Sequence, residues 1–187
     1  MAKILQEPST ILYPLPAAMI SCADAEGQPN IITLAWVGTV ASAPPQVAIG
    51  VRPSRHSHRI IAASGEFVVN IPSASQLHAT DYCGSVSGRE VDKFAACGLT
   101  PGPASKLKYA PIIAECPANI ECKVAHSLNL GSHTLFIGQV VAVQVEESVL
   151  DEEGQIDYQR ARPFAYVNRN YYALGDLLGQ YGLSVRK

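Results

Sequence analysis

The strongest constraint in this chain is a pair of long strand-forming runs joined by a short polar turn. Residues 119–128 and 134–146 are rich in β-branched and aromatic side chains, and the second contains Leu-Phe-Ile-Gly-Gln-Val-Val-Ala-Val-Gln-Val. Asn129-Leu-Gly-Ser132 between them supplies turn formers, so the spacing predicts an antiparallel hairpin. Upstream, further strands are predicted at 17–23, 30–40, 46–51 and 66–71. They are separated by the turn Asp24-Ala-Glu-Gly27, the pair Pro44-Pro45, and a short helix over 55–63 with Ser54 or Ser57 near its start. A second helix is predicted over 73–82, with Ser73 as N-cap and Cys83-Gly84 as its exit. Residues 84–117 hold too many glycines and prolines for a long element, and only a brief helical turn is expected over 91–96. Closely spaced strands with only short helices predict a mainly β chain, built as a barrel rather than from α/β units.

Composition narrows the functional classes. The 187 residues suit one domain, 1–187, whose final part, 150–187, reads as an aromatic extension with four of the eight tyrosines between Tyr158 and Tyr172. That stretch packs on the barrel or covers a ligand. A net charge of -2 supplies no long-range field for nucleic acid or anionic lipid, and no apolar run reaches the roughly 18 residues that suggest a membrane span. With 48% hydrophobic and 16% charged residues, the composition leans toward burial and hints at an oligomer. Cys22, Cys83, Cys97, Cys116 and Cys122 are odd in number and lack CxxC spacing, which fits reduced thiols in a cytoplasmic protein. Cys22 and Cys122 read as barrel packing.

No Gly-rich nucleotide loop, HExxH, GxSxG or Cys/His metal spacing is present, so no metal site is expected and the usual hydrolases are poor candidates. The densest polar cluster is Arg52-Pro-Ser-Arg-His-Ser-His-Arg59, at a predicted strand-to-helix junction. Helix-start amides, hydroxyls and guanidinium groups together suit a phosphate monoester; the alternative is a solvated basic turn whose serines cap the helix. Residues 30–39 mix small and hydroxyl side chains (Thr33, Gly38, Thr39) around Trp36, so a flat heteroaromatic ring could lie on this strand, or Trp36 could simply fill the core. Ser87, Arg89, Lys93 and Phe94 form either a cationic lid or an exposed loop. His133, after Gly131-Ser132, is either a hydrogen-bond donor to a ligand or a structural histidine.

Taken in order, these motifs resemble the flavin reductase-like, FMN-binding split-barrel family over roughly residues 12–145. The residues that carry the resemblance are Pro14-Leu-Pro16, Gly27-Gln-Pro-Asn-Ile-Ile-Thr-Leu-Ala-Trp36, Pro44-Pro45, Arg52-Pro-Ser-Arg-His-Ser57 and Glu66-Phe-Val-Val-Asn-Ile-Pro72. Cys83-Gly-Ser-Val-Ser-Gly-Arg89, Asp92-Lys-Phe94, Gly131-Ser-His133 and Phe136-Ile-Gly-Gln-Val140 complete the set. The resemblance implies an antiparallel Greek-key split barrel, a homodimer, and FMN with its ring against 33–39. The implied cofactor set is Asn30, Thr33, Leu34, Ala35, Trp36, Thr39, Arg52, Ser54, Arg55, His56, Ser57, Ser87, Lys93 and Phe94, with His133 as the residue nearest the chemistry. It implies hydride transfer from NADH or NADPH to flavin, for which no nucleophile is required. Flavin would either be released, once reduced, to a monooxygenase partner or stay bound as a prosthetic group. Ser132 stands where the family often has Asp, which favours the alternative of an electron-transfer flavoprotein fed by an iron–sulfur protein. A non-redox flavin-binding module is the remaining alternative.

Overall fold

The long hairpin forms as predicted and becomes the middle of a seven-stranded antiparallel sheet. The computed structural model describes residues 1–185. In chain order its first elements are β1 (Leu15–Pro16), β2 (Ala18–Ala23), β3 (Pro29–Leu34), β4 (Val37–Ser42), β5 (Pro45–Val51), α1 (His56–Ser64) and β6 (Glu66–Ile71). They are followed by α2 (Leu77–Ser85), α3 (Lys93–Cys97), β7 (Pro101–Gly102), β8 (Ile112–Ile113), β9 (Ala118–Asn129) and β10 (Thr134–Val145). The chain finishes with α4 (Tyr158–Ala161), β11 (Phe164–Val167) and β12 (Asn170–Ala173).

The large sheet runs β3-β2-β6-β9-β10-β5-β4, so β3 and β4 are its two edges although only Ala35 and Trp36 separate them in the chain. Six interstrand steps of about 4.8 Å would put the edges of a flat sheet roughly 29 Å apart. The three-residue step from Leu34 to Val37 spans at most about 11 Å. The sheet must therefore curl enough to bring the end of β3 to the start of β4, and β3 and β4 stay unpaired, as in a split barrel. Register shifts at Ile137/Gly138 and Val140/Ala142 between β9 and β10, and at Thr39/Ala41 on β4, add local twist to the curl.

Period-two alternation sorts side chains to the two faces of the curled sheet. Ile20, Cys22, Ile49, Val51, Phe67, Val69, Cys122 and Phe136 fill the interior, with Ile60 and Ile61 of α1 closing one end. Phe67 lies so close to Gly138 that a β-carbon there would be 2.5 Å from its Cζ. On the outer face, Met19 and Ile31 pack with Cys83, Phe94, Leu99, Ile113 and Cys116, so β2 is buried on both sides. The breaker-rich segment is held down by two buried carboxylates. Glu66 accepts from the amides of Lys108 (3.0 Å) and Tyr109 (2.8 Å), and Glu121 accepts from those of Ser105 and Lys106, both at 2.7 Å.

Several expectations change. The strand predicted over 30–40 is two strands, because curling of the sheet breaks it at Ala35-Trp36. The second helix opens as a 3-10 turn over Ala74–Gln76 and runs past Cys83-Gly84 to Ser85. Neither serine caps α1: Arg55 holds the N-cap position without a side-chain bond, and the buried Ser57 is turned toward Asn30. The brief turn becomes α3, capped by Asp92, whose carboxylate accepts from Ala95 N at 3.1 Å. The aromatic extension forms the hairpin β11–β12, which takes β1 as a third strand through Leu15↔Tyr166.

Candidate functional site

The break that splits the predicted strand also opens a cleft. Val37 N donates to Ala35 O at 2.9 Å and Gly50 N to Trp36 O at 2.8 Å, which fixes a tight bend at the seam. The Thr33 hydroxyl donates to the Thr80 carbonyl and ties α2 against β3. Gly84 on α2 approaches so closely that a β-carbon would lie 3.1 Å from Thr33 Cβ. The resulting slot, about 270 Å³, is lined on one side by Thr33, Leu34, Ala35 and Trp36. Gly50, Arg52, Gly84, Ser85, Asp81 and His133 border it, and Tyr166 and Tyr171 of the C-terminal hairpin form the opposite wall. Tyr171 donates its hydroxyl to Asp81 at 3.1 Å; burial and that carboxylate push its pKa up to about 12, so it stays a phenol.

Through Ile32, Arg55 and Gly84 the slot continues into a small polar chamber of about 50 Å³, where Asn30, Ser54, His56, Ser57, Ser87, Gly88 and Lys93 converge. Two cations, Arg55 and Lys93, line it and no carboxylate does. Among the described residues the one carboxylate ion pair is Arg160–Asp157, so neither cation has an acidic partner. Lys93 is only 4% exposed and donates to the carbonyls of Ile31 (2.8 Å) and Cys83 (2.7 Å). An ammonium carries three donors, so one remains. Burial lowers the Lys93 pKa from its ordinary value. Burial, then Arg59, Arg89 and Lys93, lower that of His56, whose buried Nδ1 has no hydrogen-bond partner. The His58 amide donates to Arg55 O at 3.1 Å, while the helix start has no side-chain cap and its first turn holds no acid. Cations, hydroxyls and a helix N-terminus give this chamber the donors that an anion would need.

His133 stacks on Trp36 with centroids 6.1 Å apart and ring planes within 8°, and Ser132 Oγ lies 2.9 Å from its Nδ1. Burial and Arg52 hold its pKa below the ordinary 6.5, so it is neutral near pH 7.

Of the residues expected at the site, Thr33, Leu34, Ala35, Trp36, Arg52 and His133 line the slot. Asn30, Ser54, His56, Ser57, Ser87 and Lys93 line the chamber, and Arg55 touches both. Trp36 is 44% exposed at the cleft and does not belong to the core. Two residues fall outside. Thr39 sits exposed on β4, across the break from Thr33, and Phe94 packs into the cluster of Met19, Ile31 and Ile113. Asp81, Tyr166 and Tyr171 were missed, although the tyrosine-rich stretch was the one signal that could have found the last two.

Residues 10–175 match the family described as flavin reductase like domain. The chain belongs to this family. Among solved structures, this flavin reductase-like protein is similar to the flavoredoxin of Desulfovibrio vulgaris (Miyazaki F), at 36% identity over 100% of both chains with a TM-score of 0.92. It is also similar to an FMN-binding protein from Thermus thermophilus, at 26% identity over 92% of this chain and 95% of that one, with a TM-score of 0.77. Among curated relatives is the reductase component of an FADH(2)-dependent resorcinol hydroxylase from Rhizobium sp. (strain MTP-10005), 26% identical over 163 residues, 86% of this chain and 81% of that protein.

Proposed function

We propose that this chain binds FMN and works as a flavin reductase-type oxidoreductase, taking electrons from NADH or NADPH. The observation that carries the reading is the junction of two unlike chambers: a slot lined by the aromatic rings of Trp36, Tyr166 and Tyr171, and a polar chamber whose cations, Arg55 and Lys93, have no acidic partner. A planar ring carrying a phosphate monoester has the chemistry each chamber lacks. Arg55, Ser54, Ser57, Ser87, the remaining Lys93 donor and the α1 amides would hold the phosphate, and the backbone from Thr33 to Trp36 would face the ring. Bound flavin would supply two-electron hydride chemistry, so the protein needs no nucleophile. The side chains bind, orient and exclude water. His133, kept neutral and oriented by Ser132 and Trp36, would offer its other ring nitrogen to a nicotinamide amide.

Full-length similarity to a flavoredoxin favours a second reading, in which electrons arrive from an iron–sulfur protein and the nicotinamide step is absent. In the first reading, similarity to a hydroxylase reductase component makes a monooxygenase the natural acceptor. Exposed Trp36, Val40 and Leu130 border an apolar groove of about 770 Å³ next to the slot, which suits a homodimer in which a second copy covers that face. The cysteines are all free, which suits the reducing cytoplasm.

The deciding experiment is the visible spectrum of protein loaded with FMN, recorded before and after anaerobic NADH or NADPH. Loss of the flavin band with either nucleotide supports the reductase. FMN binding without bleaching, followed by reduction from a ferredoxin-type donor, supports the second reading. Failure to bind FMN at all overturns both.

A further inference from the structure

Cys83 stands near the end of α2 and Cys97 ends α3, and their sulfurs face each other at 3.9 Å. The chain between them, residues 84–96, supplies Gly84, Ser85, Ser87, Gly88 and Lys93 to the two chambers. The facing thiols therefore bracket the loop that builds the anion site, and neither has a part in the function proposed above. We propose that Cys83 and Cys97 are a second redox centre, a dithiol that peroxides convert reversibly to a disulfide, closing that loop at both ends. The inference does not rest on which ligand fills the cleft.

The geometry assigns the two thiols different parts. Cys83 has no exposed surface, whereas Cys97 is only half-buried, so of the two it is the one assigned to meet a small oxidant. Burial, then the neighbouring Cys97, push the Cys83 thiol up to about 12, which keeps it from attacking an oxidant itself. Cys97 sulfur attacks a peroxide oxygen; the S–O bond forms, the O–O bond breaks, and water leaves. Cys83 sulfur then attacks the sulfenic Cys97 sulfur; the S–S bond forms, the S–O bond breaks, and the Cys83 proton leaves with hydroxide as a second water. Two thiols and one hydrogen peroxide thus give one disulfide and two waters, and a dithiol such as dithiothreitol reverses the change. The sulfurs must approach from 3.9 Å to about 2.05 Å. The element that would move is α3, five residues long and preceded by an irregular segment. Lys93 lies four residues before Cys97 on α3 and donates to the Cys83 carbonyl, so the disulfide also fixes its ammonium.

The competing partner is Cys116, which packs in the same cluster as Cys83. Trypsin separates the candidates, since Cys83 falls in peptide 60–89, Cys97 in 94–106 and Cys116 in 109–123. The full-length protein is reduced, treated with hydrogen peroxide, blocked with iodoacetamide and digested. The expected result is a linked pair of peptides 60–89 and 94–106 that dithiothreitol separates, with Cys116→Ala leaving the link in place. A link from 60–89 to 109–123 overturns the proposal. So does overoxidation of Cys97 with Cys83 still alkylatable. The mapping needs no Cys97 variant, and it is independent of flavin binding, so its failure leaves the FMN reading untouched.

Discussion

Gly88→Ala tests the polar chamber most directly. A β-carbon at 88 would lie 2.0 Å from Asn30 Oδ1 and 2.8 Å from its Cγ, where ordinary contacts begin near 3.4 Å. Gly88 is not among the glycines with positive φ, so the backbone accepts alanine and the effect is purely steric. Asn30 is 5% exposed and donates from Nδ2 to Ser57 Oγ at 2.7 Å, so its amide cannot retreat without breaking a buried bond. Overpacking costs about 1–3 kcal/mol and the lost bond about 1 kcal/mol more, a total of about 2–4 kcal/mol. At about 2–4 °C per kcal/mol for a chain of this size, the melting temperature should drop by roughly 5–15 °C. Urea or thermal unfolding reads the stability, and titration with FMN reads the chamber, where affinity should fall as Ser57 and the loop are displaced. The control is a double-mutant cycle. Asn30→Ala removes the obstructing amide, so the pair should cost at least about 1 kcal/mol less than the sum of the singles. A Gly88→Ala variant as stable as the parent, or strict additivity with Asn30→Ala, would refute the close approach.

Three further outcomes follow from other parts of the molecule. Arg55→Ala should weaken FMN binding roughly 10- to 150-fold by removing a charge-assisted contact of about 1.5–3 kcal/mol, with the deficit shrinking as salt rises; fluorescence titration at two ionic strengths checks both. Burial raises the Glu121 carboxyl, but bonds from Ser105 N, Gln144 Nε2 and Lys106 N outweigh it and hold its pKa below the ordinary 4.5. A depressed carboxyl stabilises the fold above its unfolded value and loses that contribution as pH falls through the folded one. Glu121→Gln should therefore cost about 2–3 kcal/mol near pH 7, with the gap from the parent closing at acid pH in urea melts. Gly138→Ala should cost about 1–3 kcal/mol in the same assay, because its methyl would enter the space of Phe67 Cζ at 2.5 Å and Cys122 Cβ at 2.8 Å.

The long hairpin, most of the shorter strands and the clustering of the basic and hydroxyl residues from Arg52 to Ser57 were legible because each depends on near neighbours in sequence. β-Branched runs favour strands wherever they lie, Asn129-Leu-Gly-Ser132 turns the chain locally, and Arg52 to Ser57 are adjacent by covalent connection. Cys22 and Cys122 were read correctly as barrel packing for the same reason, since small apolar residues on strands face inward by alternation. The cleft itself depends on contacts that no local pattern encodes. Tyr171 meets Asp81 across 90 positions, and Lys93 reaches the Ile31 carbonyl across 62. Likewise the curl of the sheet, not any propensity in residues 30–40, breaks the strand at Trp36. That break brings Trp36 to the cleft and leaves Thr39 exposed beyond the seam, while tertiary packing of α3 sends Phe94 into the core and Lys93 to the polar chamber. The sequence by itself determined which strands and charges were available. The curling of one sheet decided which of them come together, because burying the interior of a curled sheet is a property of all its strands together.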